Sequence, residues 1–160
     1  EGLGYDDRNQ HILISPKDFI KGSKETKDER MLYAVDPKDP LHTVETVLKL
    51  SLEALSAQAV RQGLELPTRT TDDGRVLSAL KLRYSSVAVN PITDHYYLLS
   101  AADRTLLVVD RQGALVDLVQ LDAQLLPKPE GITFTANGDM WLASEGKERT
   151  PVLAKYAFRK

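Results

Sequence analysis

Glu130-Gly-Ile-Thr-Phe-Thr-Ala-Asn-Gly-Asp-Met-Trp-Leu-Ala-Ser144 reads as a β-hairpin: an apolar strand, a tight polar turn and a second strand ending on serine. Asn137-Gly138 is its sharpest mark, because a type I′ turn needs positive φ at both central positions. The same phrase occurs twice more. Ser85-Ser-Val-Ala-Val-Asn90 runs through Pro91-Ile-Thr-Asp94 into Tyr96-Tyr-Leu-Leu-Ser100, and Glu1-Gly-Leu-Gly-Tyr-Asp6 leads to His11-Ile-Leu-Ile-Ser15. Aligning Gly2, Ser86 and Gly131 gives spacings of 84 (86 − 2) and 45 (131 − 86) residues. About 40–50 residues is the period of a four-stranded propeller blade. The longer first interval predicts an insertion.

Further strands follow each hairpin. Met31–Asp36 and Thr46–Ser51 continue the first unit, Thr105–Asp110 and Ala114–Leu121 the second, and Pro151–Phe158 the third. These β-branched and aromatic runs are punctuated by Gly, Asn, Asp and Pro, as strands are. Within the insertion, residues 51–62 predict a helix with Leu52, Leu55, Ala59 and Val60 on one face and Gly63 as its stop. Residues 64–78 read as a loop, and Leu80 and Leu82 as part of an extra or leading strand. The fold class is therefore all-β, a propeller of four-stranded blades with about three blades present. The units are a blade over 1–51 with a helical insertion over 52–84, a blade over 85–129 and an incomplete blade over 130–160. A β-sandwich would also supply short strands, but it does not require one turn chemistry to recur at one blade position.

Propellers close with four to eight blades, and raw sheet edges invite aggregation. The expectation is half of a six-bladed ring, completed by a missing N-terminal half or by a second copy. A start at Glu1, on the first residue of a repeat, reads as a cut fragment.

Composition narrows the functions. The 160 residues are 42% hydrophobic and 28% charged, with a net charge of −2 and no cysteine. No basic face for nucleic acid is visible, and no apolar run is long enough for a membrane span. Thiolate metal sites and cysteine nucleophiles are excluded. His11, His42 and His95 are scattered without metal-ligand spacing, and no glycine-rich phosphate loop is present.

Topology indicates where a site would lie. In an antiparallel hairpin the start of the first strand lies beside the end of the second. Glu1 is thus placed by Ser15 and Lys17, Ser85 by Ser100 and Asp103, and Glu130 by Ser144 and Glu145. All converge on one face, at the mouth of the central channel. Ser15, Lys17, Ser85, Ser100 and Ser144 are the candidate ligand-binding residues. Glu1, Glu130 and Glu145 are candidate ligands of a hard cation, calcium, which takes oxygen donors. The competing reading is architectural, with each glutamate accepting hydrogen bonds from backbone N–H groups. Charged loops on the same face, Lys17-Asp18, Lys21–Arg30 and Gly146–Thr150, form either a recognition rim or a solvated surface.

Lys128-Pro-Glu-Gly-Ile-Thr-Phe-Thr-Ala-Asn-Gly-Asp-Met-Trp-Leu-Ala-Ser-Glu-Gly146 resembles the closing blade of the SdiA-regulated family of bacterial β-propellers. Ser85–Pro91 with Tyr97–Ser100 and Leu106–Asp110 is similar to the preceding blade, and Glu1–Asp6 to the one before it. The resemblance implies the C-terminal half of an exported, periplasmic or envelope-associated propeller, with no catalytic residues to carry over. Ser85 departs from the glutamate of the other two repeats, which weakens a symmetric carboxylate ring. Three functions follow. The first is a non-enzymatic envelope propeller binding a small ligand, cation or partner at the mouth. The others are a calcium-dependent hydrolase of phosphate esters or lactones, and a pure interaction scaffold.

Overall fold

Three antiparallel meanders follow one another along the chain in the computed structural model, which describes residues 2–18, 27–146 and 148–159. The first sheet holds β1 (Gly2–Asp6), β2 (His11–Ser15), β3 (Glu29–Val35) and β4 (Val44–Ser51), in that spatial order. The second holds β7 (Tyr84–Val89), β8 (Tyr96–Ser100), β9 (Thr105–Val109) and β10 (Leu115–Gln120). The third has β11 (Pro129–Phe134), β12 (Met140–Ser144) and β13 (Val152–Tyr156). These are propeller blades, the last with three strands. Between the first and second lie helix α1 (Leu52–Arg61) and a small hairpin, β5 (Thr68–Thr70) with β6 (Val76–Ser78).

The inner strands hold the blades together. β1 packs on β7, and β7 on β11. The first contact is backbone to backbone: a Cβ on Gly4 would lie 2.4 Å from the Val87 carbonyl oxygen, and one on Gly2 2.7 Å from Ser86 Cα. Only glycine permits that approach. The second contact is a hydrogen bond, the Ile132 N–H donating to Ser86 Oγ at 3.2 Å. Behind these strands run two apolar layers. One joins Leu13, Leu32 and Leu48 of the first blade to Val87, Leu98 and Leu107 of the second, with Leu55 and Ala59 of α1 covering its flank. The other joins Leu99 and Leu106 to Ile132 and Leu142. Phe134 meets Tyr97 edge-on across this second boundary, with centroids 4.8 Å apart. Trp141 lies under Lys155 of its own sheet.

The helix forms as expected. Ser51 caps it by accepting from the Ala54 N–H, Gly63 follows at φ 72°, and Leu52, Leu55 and Ala59 are buried. Val60 is exposed, outside the apolar stripe. Two expectations are corrected in the rest of the insertion. Residues 68–78 form the β5–β6 hairpin rather than a loop, because Asp72-Asp73-Gly74 makes a turn between short β-branched runs, with Gly74 at φ 80°. Leu80 and Leu82 are buried core residues outside any strand; φ of 43° at Leu82 breaks the extended path.

The turn at Asn137-Gly138 also differs from the type I′ expectation. Gly138 alone has positive φ, at 88°, its N–H donates to Thr135 O, and the Thr135 N–H donates to Asp139 O. That is a three-residue loop closed by a left-handed residue. The β9–β10 turn repeats it: Gly113 is at φ 85°, its N–H donates to Asp110 O, and the Asp110 N–H donates to Ala114 O. One loop chemistry thus serves two successive blades. Asp36 and Asp110 cap turns, Asp36 accepting from the Lys38 N–H and Asp110 from those of Gln112 and Ala114.

Candidate functional site at the channel mouth

The repeated serines close the hairpins from below. Ser15 pairs with Gly2, Ser100 with Tyr84 and Ser144 with Pro129. All three are buried. Ser15 Oγ donates to Gly2 O at 3.2 Å, while Ser100 Oγ accepts the Arg83 N–H at 3.1 Å and Ser144 Oγ the Lys128 N–H at 3.0 Å. Each hydroxyl satisfies a backbone group where a strand begins, and none of the three lines the cavity above.

The register slips between Tyr84 and Ser86 and again between Pro129 and Gly131. Ser85 and Glu130 are therefore bulged residues, released from strict pairing and turned to the mouth. They meet there with Lys17 in a cavity of about 320 Å³ that Arg83, Arg104 and Lys128 also line. Three of the residues expected at the mouth thus share one site. Ser85 Oγ lies 2.8 Å from Pro129 O and 3.3 Å from Leu99 O, so its proton tethers the second blade to the third.

The acidic residues are arranged around a cation that the chain itself supplies. Lys128 Nζ lies 3.3 Å from Glu130 Oε1 and also bonds Glu145. The hydrogen bonds it donates to Glu145, then to Glu130, raise the Lys128 pKa above the ordinary lysine value, which keeps it an ammonium. Glu1 lies outside the described residues. Among the described residues, no group of three or more His, Cys, Asp or Glu comes together to hold a metal. The Lys128 ammonium lies between the Glu130 and Glu145 carboxylates.

No local motif in the sequence marks the arginines. Arg83 pairs with Asp18 at 2.8 Å, and Asp18 also meets Arg30 at 3.2 Å. Arg30, expected in the solvated rim loop, is buried. Its Nε donates to Leu82 O at 2.8 Å, Nη2 to Lys81 O at 2.7 Å and Nη1 to Glu29 O at 2.8 Å. It is a strut tying the first blade to the chain that enters the second. Of the rim, residues 19–26 and Lys147 lie outside the described set.

The architecture and the recurrent hairpins agree with the comparison to known families, in which the SdiA-regulated family model matches residues 21–148. The chain belongs to the SdiA-regulated family. No curated protein matches it. In this SdiA-regulated propeller the matched span contains Ser85, Arg104, Lys128, Glu130 and Glu145, whereas Lys17 stands before it.

The opposite face of the SdiA-regulated blades carries a different cluster, also unforeseen. Arg111 Nη1 reaches Asp6 Oδ2 at 2.5 Å, Nη2 reaches Asp94 Oδ1 at 2.5 Å, and the guanidinium lies 4.5 Å from the Tyr96 ring centroid. Burial alone would raise the Asp6 carboxyl, but hydrogen bonds from Arg111 and Asn9 and the arginine charge hold it below its ordinary value. Three groups distant in sequence meet here, and no local motif announces them. This cluster clamps two blades, whereas the mouth has an open cavity.

Proposed function

We propose that this chain is the binding part of a non-enzymatic envelope propeller, whose channel mouth takes a small polar ligand. The observation that carries the reading is the 320 Å³ cavity, where Lys17, Ser85 and Glu130 converge with arginines from neighbouring segments. Sites of this kind are concave, with a few convergent polar groups that fix orientation. The Ser85 hydroxyl is directed at a backbone carbonyl rather than at a general base, an arrangement that suits binding better than nucleophilic attack. The envelope location follows the family resemblance.

The test is a thermal-shift screen of small polar molecules on the complete protein and on Ser85→Phe, which fills the cavity. Ligands should raise the wild-type Tm and lose that effect in the variant. Equal shifts in both proteins, or no shift from any compound, would remove the mouth as the binding site. Including phosphate esters and lactones and following their consumption reports hydrolysis, which this reading does not expect.

A further inference from the structure

Resting on the mouth as a binding site, we propose that Arg104 is its anchor and that the ligand is an oxyanion, a small carboxylate or phosphate compound. The argument begins with the charges. Four cationic side chains line the mouth cavity: Lys17, Arg83, Arg104 and Lys128. Arg83 is engaged by Asp18, and Lys128 by Glu130 and Glu145. Arg104 has no ion-pair partner among the described residues, and its Nε is buried without an acceptor. A guanidinium stays charged at any working pH, and a buried charged donor without an acceptor is costly. Arg104 lines the mouth cavity, and a planar oxyanion fits a guanidinium fork.

The backbone gives an independent observation. Arg104 has φ of 49°, the left-handed region that glycine occupies most readily. Its carbonyl is fixed by the Leu121 N–H at 2.7 Å and by Gln120 Nε2 at 2.9 Å. The preceding Asp103 accepts the N–H groups of Lys81 and Leu82 at 2.8 and 2.7 Å. A strained position held this firmly aims one long side chain, and strain of this sort gathers at ligand sites.

Arg104 also walls a second cavity of about 620 Å³ beneath the β5–β6 hairpin. Glu65 and Asp103 line that space together with Lys81, so its two acids balance its two cations, Lys81 and Arg104. In the mouth the lining carboxylate, Glu130, is already offset by Lys128. The anion therefore seats on the mouth side.

The experiment follows the Arg Nε–Hε resonances of the complete protein by ¹⁵N–¹H NMR at constant ionic strength. Inorganic phosphate and succinate are the probes, and Arg104→Lys assigns the signal. A saturable shift of the Arg104 resonance is expected. In Arg104→Gln, affinity measured by calorimetry should fall about tenfold or more. The stronger probe tells a phosphate from a carboxylate preference. Arg104→Gly controls for folding: release of the strained backbone should leave its Tm unchanged or higher while binding is lost. A lower Tm in that variant would make Arg104 structural and overturn the proposal. An unmoved resonance, alongside neutral or cationic hits in the thermal-shift screen, overturns the oxyanion and leaves the mouth intact. An unmoved resonance with no hits overturns both.

Discussion

At the scale of the residue, one carboxylate shows how charge fixes this fold. Asp6 is nearly inaccessible, yet it remains ionised because Arg111 and Asn9 supply donors from two directions. Its pKa in the folded protein lies below the ordinary 3.8, so its stabilisation is complete above that value and is lost as the pH falls through the lowered one. Replacing Asp6 with Asn leaves Arg111 half-matched and should cost about 3 kcal/mol near neutrality. Urea titrations from pH 7 downward should show the gap between wild type and variant narrowing below pH 4. A gap that stayed constant would mean the clamp contributes packing rather than charge.

At the scale of the element, the repeated hairpin explains its own terminal serine. Ser100 and Ser144 each accept the N–H of the residue just before the inner strand, and Ser15 serves the equivalent corner through a carbonyl. The repetition of serine therefore reflects repeated backbone geometry, not repeated chemistry. Ser144→Ala should destabilise by about 1–2 kcal/mol, since it strands the Lys128 N–H. Ligand affinity at the mouth should stay within a factor of about two if the backbone holds its position, which the same calorimetry reads. A large loss of affinity at unchanged stability would return the serine to the binding surface.

At the scale of the whole molecule, blade contact depends on how closely the inner strands approach. A methyl group on Gly4 meets the Val87 carbonyl, which belongs to a paired strand and has little room to yield. Gly4→Ala should cost about 3 kcal/mol, at the upper end for overpacking. Thermal unfolding should show the first blade separating before the second and third. A variant as stable as wild type would mean that β1 slides on β7. The third sheet ends on β13, whose outer edge has no partner strand among the described residues.

Sequence alone specified the strands of the three blades, the helix and the repeat, though not the β5–β6 hairpin, because alternation, turn residues and spacing are local signals that each blade hairpin carries alone. It also brought Lys17, Ser85 and Glu130 toward one face, since antiparallel pairing fixes which strand ends are neighbours. It could not separate serines that brace the backbone from residues that line a cavity, because one-residue bulges at Ser85 and Glu130 decide that difference. Nor could it pair Lys128 with both glutamates, bury Arg30, or leave Arg104 unmatched between two cavities. Those outcomes depend on which chain segments stack across the blades, and charge compensation across such distances exists only in the folded molecule.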